Sequence, residues 1–318
     1  MLLNILLIII GFILLIKGAD FLVSGSSKIA KKFHIPEIII GLTIVSIGTS
    51  MPELFVSITS AVEGYSDMAL GNVIGSNICN LLLILGLSSV IRPIKFQKET
   101  RIIELPLSLL LTIIFWIICF SNNFISKAEG ILLLVLFLGF IIYTIYMGLH
   151  GDKSEKKSQE VLKEEKGKFF IFKNIVYIII GIIALKYGGD FVVDNSVEIA
   201  ELFNISDAII SLTILAIGTS LPELVTSVTA AIKGNSDIAI GNIIGSNIFN
   251  MLMIIGVSAS IKPITYNPSY NIQMIILLIA IVFLALFPFI KPKNEMSRGN
   301  GIVYIITYIV YMVLLFII

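Results

Sequence analysis

Apolar runs of spanning length, cut by short polar breaks, occupy nearly the whole of this 318-residue chain. A helix needs ~20 predominantly apolar residues to cross a bilayer core. By that measure the pattern predicts ten spans, over residues 2–30, 36–63, 67–90, 102–121, 126–149, 170–202, 206–233, 237–260, 271–290 and 300–318. The expected fold class is an all-α polytopic membrane protein. One break stands apart: Gly151 to Lys168 (GDKSEKKSQEVLKEEKGK) is the only long charged stretch, and it reads as a solvated linker. It separates a first five-helix unit, 1–150, from a second, 169–318, with 151–168 between them.

The two units are copies of one another. Residues 41–94 align without a gap on 211–264 at a constant offset of 170, with about 32 of 54 positions identical. Five spans per unit is an odd number, so the second copy enters the membrane upside down relative to the first. Inverted repeats of this kind build secondary transporters, whose substrate site lies near the midplane between repeats. A duplicated scaffold without transport would explain the symmetry equally well, so the chemistry of the repeated segments has to decide.

Composition excludes a soluble protein. Hydrophobic residues make up 57% of the chain and charged residues 14%, and the mean hydropathy is +1.02. The net charge of +1 says little; its distribution says more. With the N-terminus outside, about 18 basic residues fall on the cytoplasmic side, among them Lys28, Lys31, Lys32, Arg92, Arg101, Lys233 and Arg298. Only Lys127 and Lys262 then lie in outer loops. The positive-inside rule therefore places both termini outside and the linker in the cytoplasm of a multi-pass cell-membrane protein. Met1–Ile16 contains no Lys or Arg, so it lacks the basic start of a cleaved signal peptide and reads as the first span. Cys79 and Cys119, in different apolar segments, suggest neither a disulfide nor a thiolate metal site.

Against this background two acids are out of place. Gly48-Thr49-Ser50-Met51-Pro52-Glu53 recurs as Gly218-Thr219-Ser220-Leu221-Pro222-Glu223, each inside a spanning segment. A charge at the bilayer centre costs at least ~2.5–3.5 kcal/mol, so a buried Glu there implies function. The next segments carry Asn72, Ser76, Asn77 and Asn80, repeated as Asn242, Ser246, Asn247 and Asn250. Carboxylate, hydroxyl and amide oxygens without His or thiolate suit hard cations such as Ca²⁺ and Na⁺. Pro52 and Pro222, with the Gly-Thr-Ser before each loosening the helix further, predict breaks there in segments two and seven, freeing carbonyls as further ligands. Ser76 and Asn80 are four apart and share a helix face, which favours Asn80 over Asn77 as a ligand, and Asn250 over Asn247 by symmetry.

Other polar positions read as structural. Gly71/Gly75 and Gly241/Gly245 are spaced for close helix packing. Asp67 and Asp237 are placed as N-caps, and Asp20 and Asp190 as helical ion-pair partners of Lys17 and Lys186. No transport role follows for them. His34 and His150 fall in loops, and Cys79, whose repeat mate is Phe249, reads as packing.

The paired G-T-S-x-P-E and G-S-N-x-x-N elements resemble the alpha repeats of the sodium/calcium exchangers of the calcium/cation antiporter superfamily, in their prokaryotic ten-helix type. The resemblance covers both units. It implies an ion-binding core of segments two, three, seven and eight, with segments one and six moving across it. It marks Glu53 and Glu223 as carboxylates shared by Ca²⁺ and Na⁺. Thr49, Ser50, Ser76, Thr219, Ser220 and Ser246, with the carbonyls of Ser46 and Ala216, match family ligands, and Asn80 and Asn250 complete the ring. Some members, including potassium-dependent exchangers, carry Asp where this chain has Asn250, which argues against potassium co-transport here.

Two carboxylates ~5 Å apart repel by ~3 kcal/mol at an effective dielectric near 20. One Ca²⁺ neutralises such a pair, whereas sodium must bind as several ions. The expectation is a Na⁺/Ca²⁺ antiporter rather than an enzyme, needing no cofactor or nucleic acid and complete as a monomer. A Ca²⁺/H⁺ antiporter using the same carboxylates is the alternative, less favoured because a proton carrier needs no cage of hydroxyls. An intramembrane hydrolase is disfavoured because Ser50 and Ser220 lack a His or Lys base.

Overall fold

A computed structural model of the chain describes residues 1–63, 66–150, 168–203 and 216–317. Its helices are α1 (Leu2–Phe33), α2 (Glu37–Thr49), α3 (Met51–Glu63), α4 (Ala69–Ile91), α5 (Thr100–Ser121) and α6 (Lys127–His150) in the first unit. The second unit contributes α7 (Lys168–Leu202), α8 (Leu221–Lys233), α9 (Ser236–Ile261), α10 (Pro268–Phe289) and α11 (Arg298–Ile317). Among the described residues, eight helices are long and apolar enough to cross a membrane, and α2 with α3, bent by 50° at their junction, are together long and apolar enough for a ninth span. The expected seventh span is described from the helical turn Ala216–Gly218 through α8. The expected linker lies outside the described residues but for its last, Lys168.

The repeated, polar-bearing helices occupy the centre. In α9, 94% of the most apolar window is buried, against 22% in α6, α7 and α11. Those peripheral helices turn Ile131, Val135, Ile179, Ile183, Ile306 and Val310 outward, as lipid-facing surfaces require. The long helices α1 and α7 run antiparallel against each other, with Gly11 facing Gly188 and Gly18 facing Gly181. A methyl group on Gly18 would sit 2.9 Å from the Gly181 carbonyl oxygen. Absent side chains let the two backbones touch, the usual means of tight helix association in lipid.

Two short straps tie the units together. Strand β1 (Ile94–Lys95) pairs antiparallel with β4 (Glu295–Met296), and β2 (Phe124–Ile125) with β3 (Ile264–Thr265). Each strap joins a loop of one unit to a loop of the other. The loops that pair are those that the sequence assigns to the same side of the membrane.

Several local expectations need correction. The breaks fall at Ser50 and Ser220, inside the expected Gly-Thr-Ser-x-Pro stretches but two residues before the prolines. Ser50 (φ −86, ψ 12) and Ser220 (φ −88, ψ 6) leave helical geometry, and Pro52 and Pro222 sit in the first turn of the following helix. There the missing N–H costs nothing. Asp237 is not an N-cap: Asn235 precedes the helix without a side-chain cap bond, and Asp237 instead accepts a hydrogen bond from Gln97. The Asp67 and His150 side chains lie outside the description. Asp190 pairs with Lys186 at 3.0 Å as expected, but Asp20 pairs across the molecule with Lys233 at 2.5 Å instead of with Lys17. His34 closes α1 in a left-handed conformation.

Candidate cation-binding centre

The breaks place the start of α3 and of α8 in the middle of the molecule, and each presents its Glu in the first helical turn. Glu53 and Glu223 are buried, 1% and 0% exposed. Each is held by the other unit. Ser50 Oγ donates to Glu223 Oε1 at 2.7 Å, and Ser220 Oγ donates to Glu53 Oε1 at 3.3 Å. The two carboxylates interact electrostatically, and the Thr49 and Ser246 hydroxyls also face Glu223.

Crossed pairing continues in the next helices. A π-helical turn begins one residue before each favoured asparagine, at Cys79–Ile84 in α4 and at Phe249–Ile254 in α9. Such widened turns recur at functional sites. The Asn80 turn packs against α8 and the Asn250 turn against α3, so each asparagine lies beside the helix that bears the other unit's Glu. Asn77 and Asn247 lock the units together: each amide nitrogen donates to the other's main-chain carbonyl at 3.2 Å. Their side-chain oxygens accept from Asn250 and Asn80, both at 3.0 Å.

What remains unbonded has a consistent chemistry. Glu53 Oε2, Glu223 Oε2, Asn80 Oδ1, Asn250 Oδ1, Ser76 Oγ and Ser246 Oγ are buried without a hydrogen-bond partner. A buried polar atom left unpaired costs ~1–3 kcal/mol, more when charged. Incurring that cost six times at repeat-related positions makes sense if the oxygens face a cation, and a set of carboxylate, amide and hydroxyl oxygens fits Ca²⁺ or Na⁺. Asn77 and Asn247, in contrast, have every amide group committed.

The Ser46 carbonyl is not freed by the break. It accepts the Ser50 N–H at 3.0 Å, with the Thr49 hydroxyl at 3.3 Å. Thr49 reaches Asn242 Oδ1 more closely, at 3.0 Å. Of Ala216 only the backbone, in its helical turn, is described.

Sequence reasoning passed over the residues that orient the threonines. Asn242 donates to Ser227 at 2.9 Å while receiving Thr49, and Asn72 donates to Ser57 at 3.1 Å while receiving Thr219 at 3.5 Å. Their recurrence at the offset of 170 was the available signal. The packing reading of the second glycine pair holds: a Cβ on Gly241 would lie 2.7 Å from the Ile38 carbonyl, and one on Gly245 2.6 Å from Ser46 Oγ. Cys79 is buried with its thiol toward Tyr308.

Two inverted units that bury paired carboxylates between them, each carboxylate hydrogen-bonded by a serine of the other unit, have the build of a membrane antiporter. The chain belongs to the sodium/calcium exchanger protein family, whose model matches residues 3–146 and 173–317. It is 32% identical to the sodium/calcium exchanger MaX1 of Methanosarcina acetivorans, over 98% of each chain. It is 35% identical to the inner membrane protein YrbG of Escherichia coli, over 99% of this chain and 98% of that one. A solved structure of the sodium-calcium exchanger NCX_Mj, soaked with 10 mM Na⁺ and zero Ca²⁺, superposes with a TM-score of 0.87 at 32% identity, covering 98% of both chains.

Proposed function

We propose that the protein is a secondary active antiporter exchanging Na⁺ for Ca²⁺ by alternating access, with Glu53 and Glu223 as ligands common to both ions. The observation that carries this reading is the crossed arrangement of Ser50 with Glu223 and Ser220 with Glu53, which leaves one oxygen of each carboxylate buried and unbonded. Asn80, Asn250, Ser76 and Ser246 complete the ligand set, with Thr49, Thr219 and the carbonyl of Ala216 at its margin, while the Ser46 carbonyl is occupied by Ser50 and Thr49.

Charge gives the coupling. The two carboxylates carry two formal negative charges, which one Ca²⁺ balances and a single Na⁺ does not. Occupancy by either ion set excludes the other from the same oxygens, and the empty, doubly negative site resists being carried across the membrane. Ca²⁺ and Na⁺ are cargo, and no resident cofactor is required. Ser50 and Ser220 donate to carboxylates and so hold ligands in place instead of acting as nucleophiles. Because the cross-unit bonds lie within one chain, a monomer suffices. Both termini are placed outside and residues 151–168 in the cytoplasm of the cell membrane, an assignment supported by the basic-residue bias and by which loops pair in the straps.

The test is ⁴⁵Ca²⁺ uptake into proteoliposomes under an outward Na⁺ gradient or an outward proton gradient at matched membrane potential. Uptake driven by Na⁺ alone supports the proposal, and uptake driven only by protons replaces it with Ca²⁺/H⁺ exchange.

A further inference from the structure

The two inverted units do not adopt the same pose. In the second, α8 is covered by α1, which packs along it, and Thr226 on α8 is 0% exposed. In the first, α7 makes little contact with α3, and Val56, the counterpart of Thr226 at the offset of 170, is 39% exposed. Copies of one fold thus differ in whether a long peripheral helix is closed over the Glu-bearing helix. Lys233 ends the covered helix and belongs to the cytoplasmic set of basic residues. In the orientation proposed above, the closed face is therefore the cytoplasmic one, and the outer face stands open.

A specific set of bonds pins the closed face. Lys233 Nζ pairs with Asp20 Oδ1 at 2.5 Å, and it donates to Ser24 Oγ at 2.6 Å and to the Asp20 carbonyl at 3.3 Å, all on α1. Asp20 and Ser24 are four apart, so they share a helix face. The outer face has no residues for the mirror-related set. Gly18-Ala19-Asp20-Phe21 recurs as Gly188-Gly189-Asp190-Phe191, while the counterparts of Ser24 and Lys233 are Asp194 and Glu63. A carboxylate thus replaces the ammonium, and a second one replaces the hydroxyl. Asp190 is taken up within its own helix by Lys186, at 3.0 Å. Closing α7 onto α3 would gather like charges at the positions where closing α1 onto α8 joins opposite ones.

We infer that Lys233, with Asp20 and Ser24, is a latch that holds the cytoplasmic face shut and biases the exchanger toward its outward-open state, without a counterpart on the outer face. The latch presupposes the alternating-access reading given above, and within it Lys233 is a positioning residue that acts through α1. Its ion pair is partly open to solvent, so its weight is modest, about a threefold change in the ratio of the two states.

Spin-label distances between Val62→Cys on α3 and Leu202→Cys on α7, exposed positions at the outer ends of these helices, measure that ratio. Cys79 and Cys119 are buried, and protein without the added cysteines controls for their labelling. In Na⁺-containing nanodiscs the long, open distance should dominate. Lys233→Gln is expected to lower the ratio of long to short distances about threefold or more, and Lys233→Arg, which keeps the charge, to hold it near the wild-type value. An unchanged ratio in Lys233→Gln overturns the latch, and so does an equal fall in Lys233→Arg. Na⁺-driven ⁴⁵Ca²⁺ uptake by the unlabelled wild-type protein tells this failure from that of the parent reading. A ratio that moves without such uptake removes the Na⁺/Ca²⁺ assignment and keeps the latch, whereas a fixed ratio with uptake intact removes the latch alone.

Discussion

Ser50 in one unit donates to Glu223 in the other at 2.7 Å, while the reciprocal bond from Ser220 to Glu53 is longer, at 3.3 Å. The repeat-related contacts are thus chemically identical but geometrically unequal. Glu223 is held firmly and Glu53 more loosely, which leaves Glu53 freer to follow whichever cation occupies the centre. A hydrogen bond to a charged group is worth ~1.5–3 kcal/mol. Ser50→Ala is expected to weaken Ca²⁺ binding roughly tenfold or more and Ser220→Ala by less. Calorimetric titration of both variants with Ca²⁺ checks the order, and equal losses would mean that the inequality has no energetic weight.

Removing either charge has a larger effect. Glu53→Gln and Glu223→Gln each leave a site of one negative charge facing a divalent ion. We expect at least ~100-fold weaker Ca²⁺ binding, ~3 kcal/mol, and loss of Na⁺-driven ⁴⁵Ca²⁺ uptake. Both proteins should still fold, because Gln retains the oxygen that accepts the serine. Transport at the wild-type rate in either variant would remove that residue from the mechanism.

The spans, the duplication and the polar residue types were legible because they depend on run length and period, which one chain displays directly. Which copy serves which was not. A repeated Ser and a repeated Glu do not reveal that Ser50 serves Glu223 and not Glu53, since that follows from how the inverted units dock. Asp20 was assigned to Lys17 for the same reason: local spacing offers the near partner, whereas the ammonium of Lys233 arrives from the other unit and also reaches Ser24.

The asparagine lock ties the docking of the units to the centre. Asn77 and Asn247 exchange bonds only with the other unit, so their removal should loosen the docking of units, and it also frees the amide nitrogens of Asn250 and Asn80. Asn77→Ala and Asn247→Ala are each expected to destabilise the protein by ~1–3 kcal/mol. The pair should be non-additive, with a coupling of ~0.5–3 kcal/mol. A double-mutant cycle on thermal unfolding measures this, and strict additivity would show that the reciprocal bonds do not act as a unit.

The glycine contact between α1 and α7 makes the sharpest steric prediction. A methyl on Gly18 meets the Gly181 carbonyl at 2.9 Å, and one on Gly181 meets the Gly18 carbonyl at 2.8 Å. Both obstructions are main chain, so no side-chain rotation relieves them, and the helices must move apart. Overpacking of this kind costs ~1–3 kcal/mol. Gly18→Ala and Gly181→Ala should each lower Tm and slow exchange, whereas Gly189→Ala should be tolerated, since a Cβ there finds only Pro222 at 3.8 Å. Comparing thermal unfolding and ⁴⁵Ca²⁺ flux across the three variants distinguishes a required backbone contact from a general intolerance of alanine in α7. If Gly189→Ala is as damaging as Gly181→Ala, close approach is not what the glycines provide.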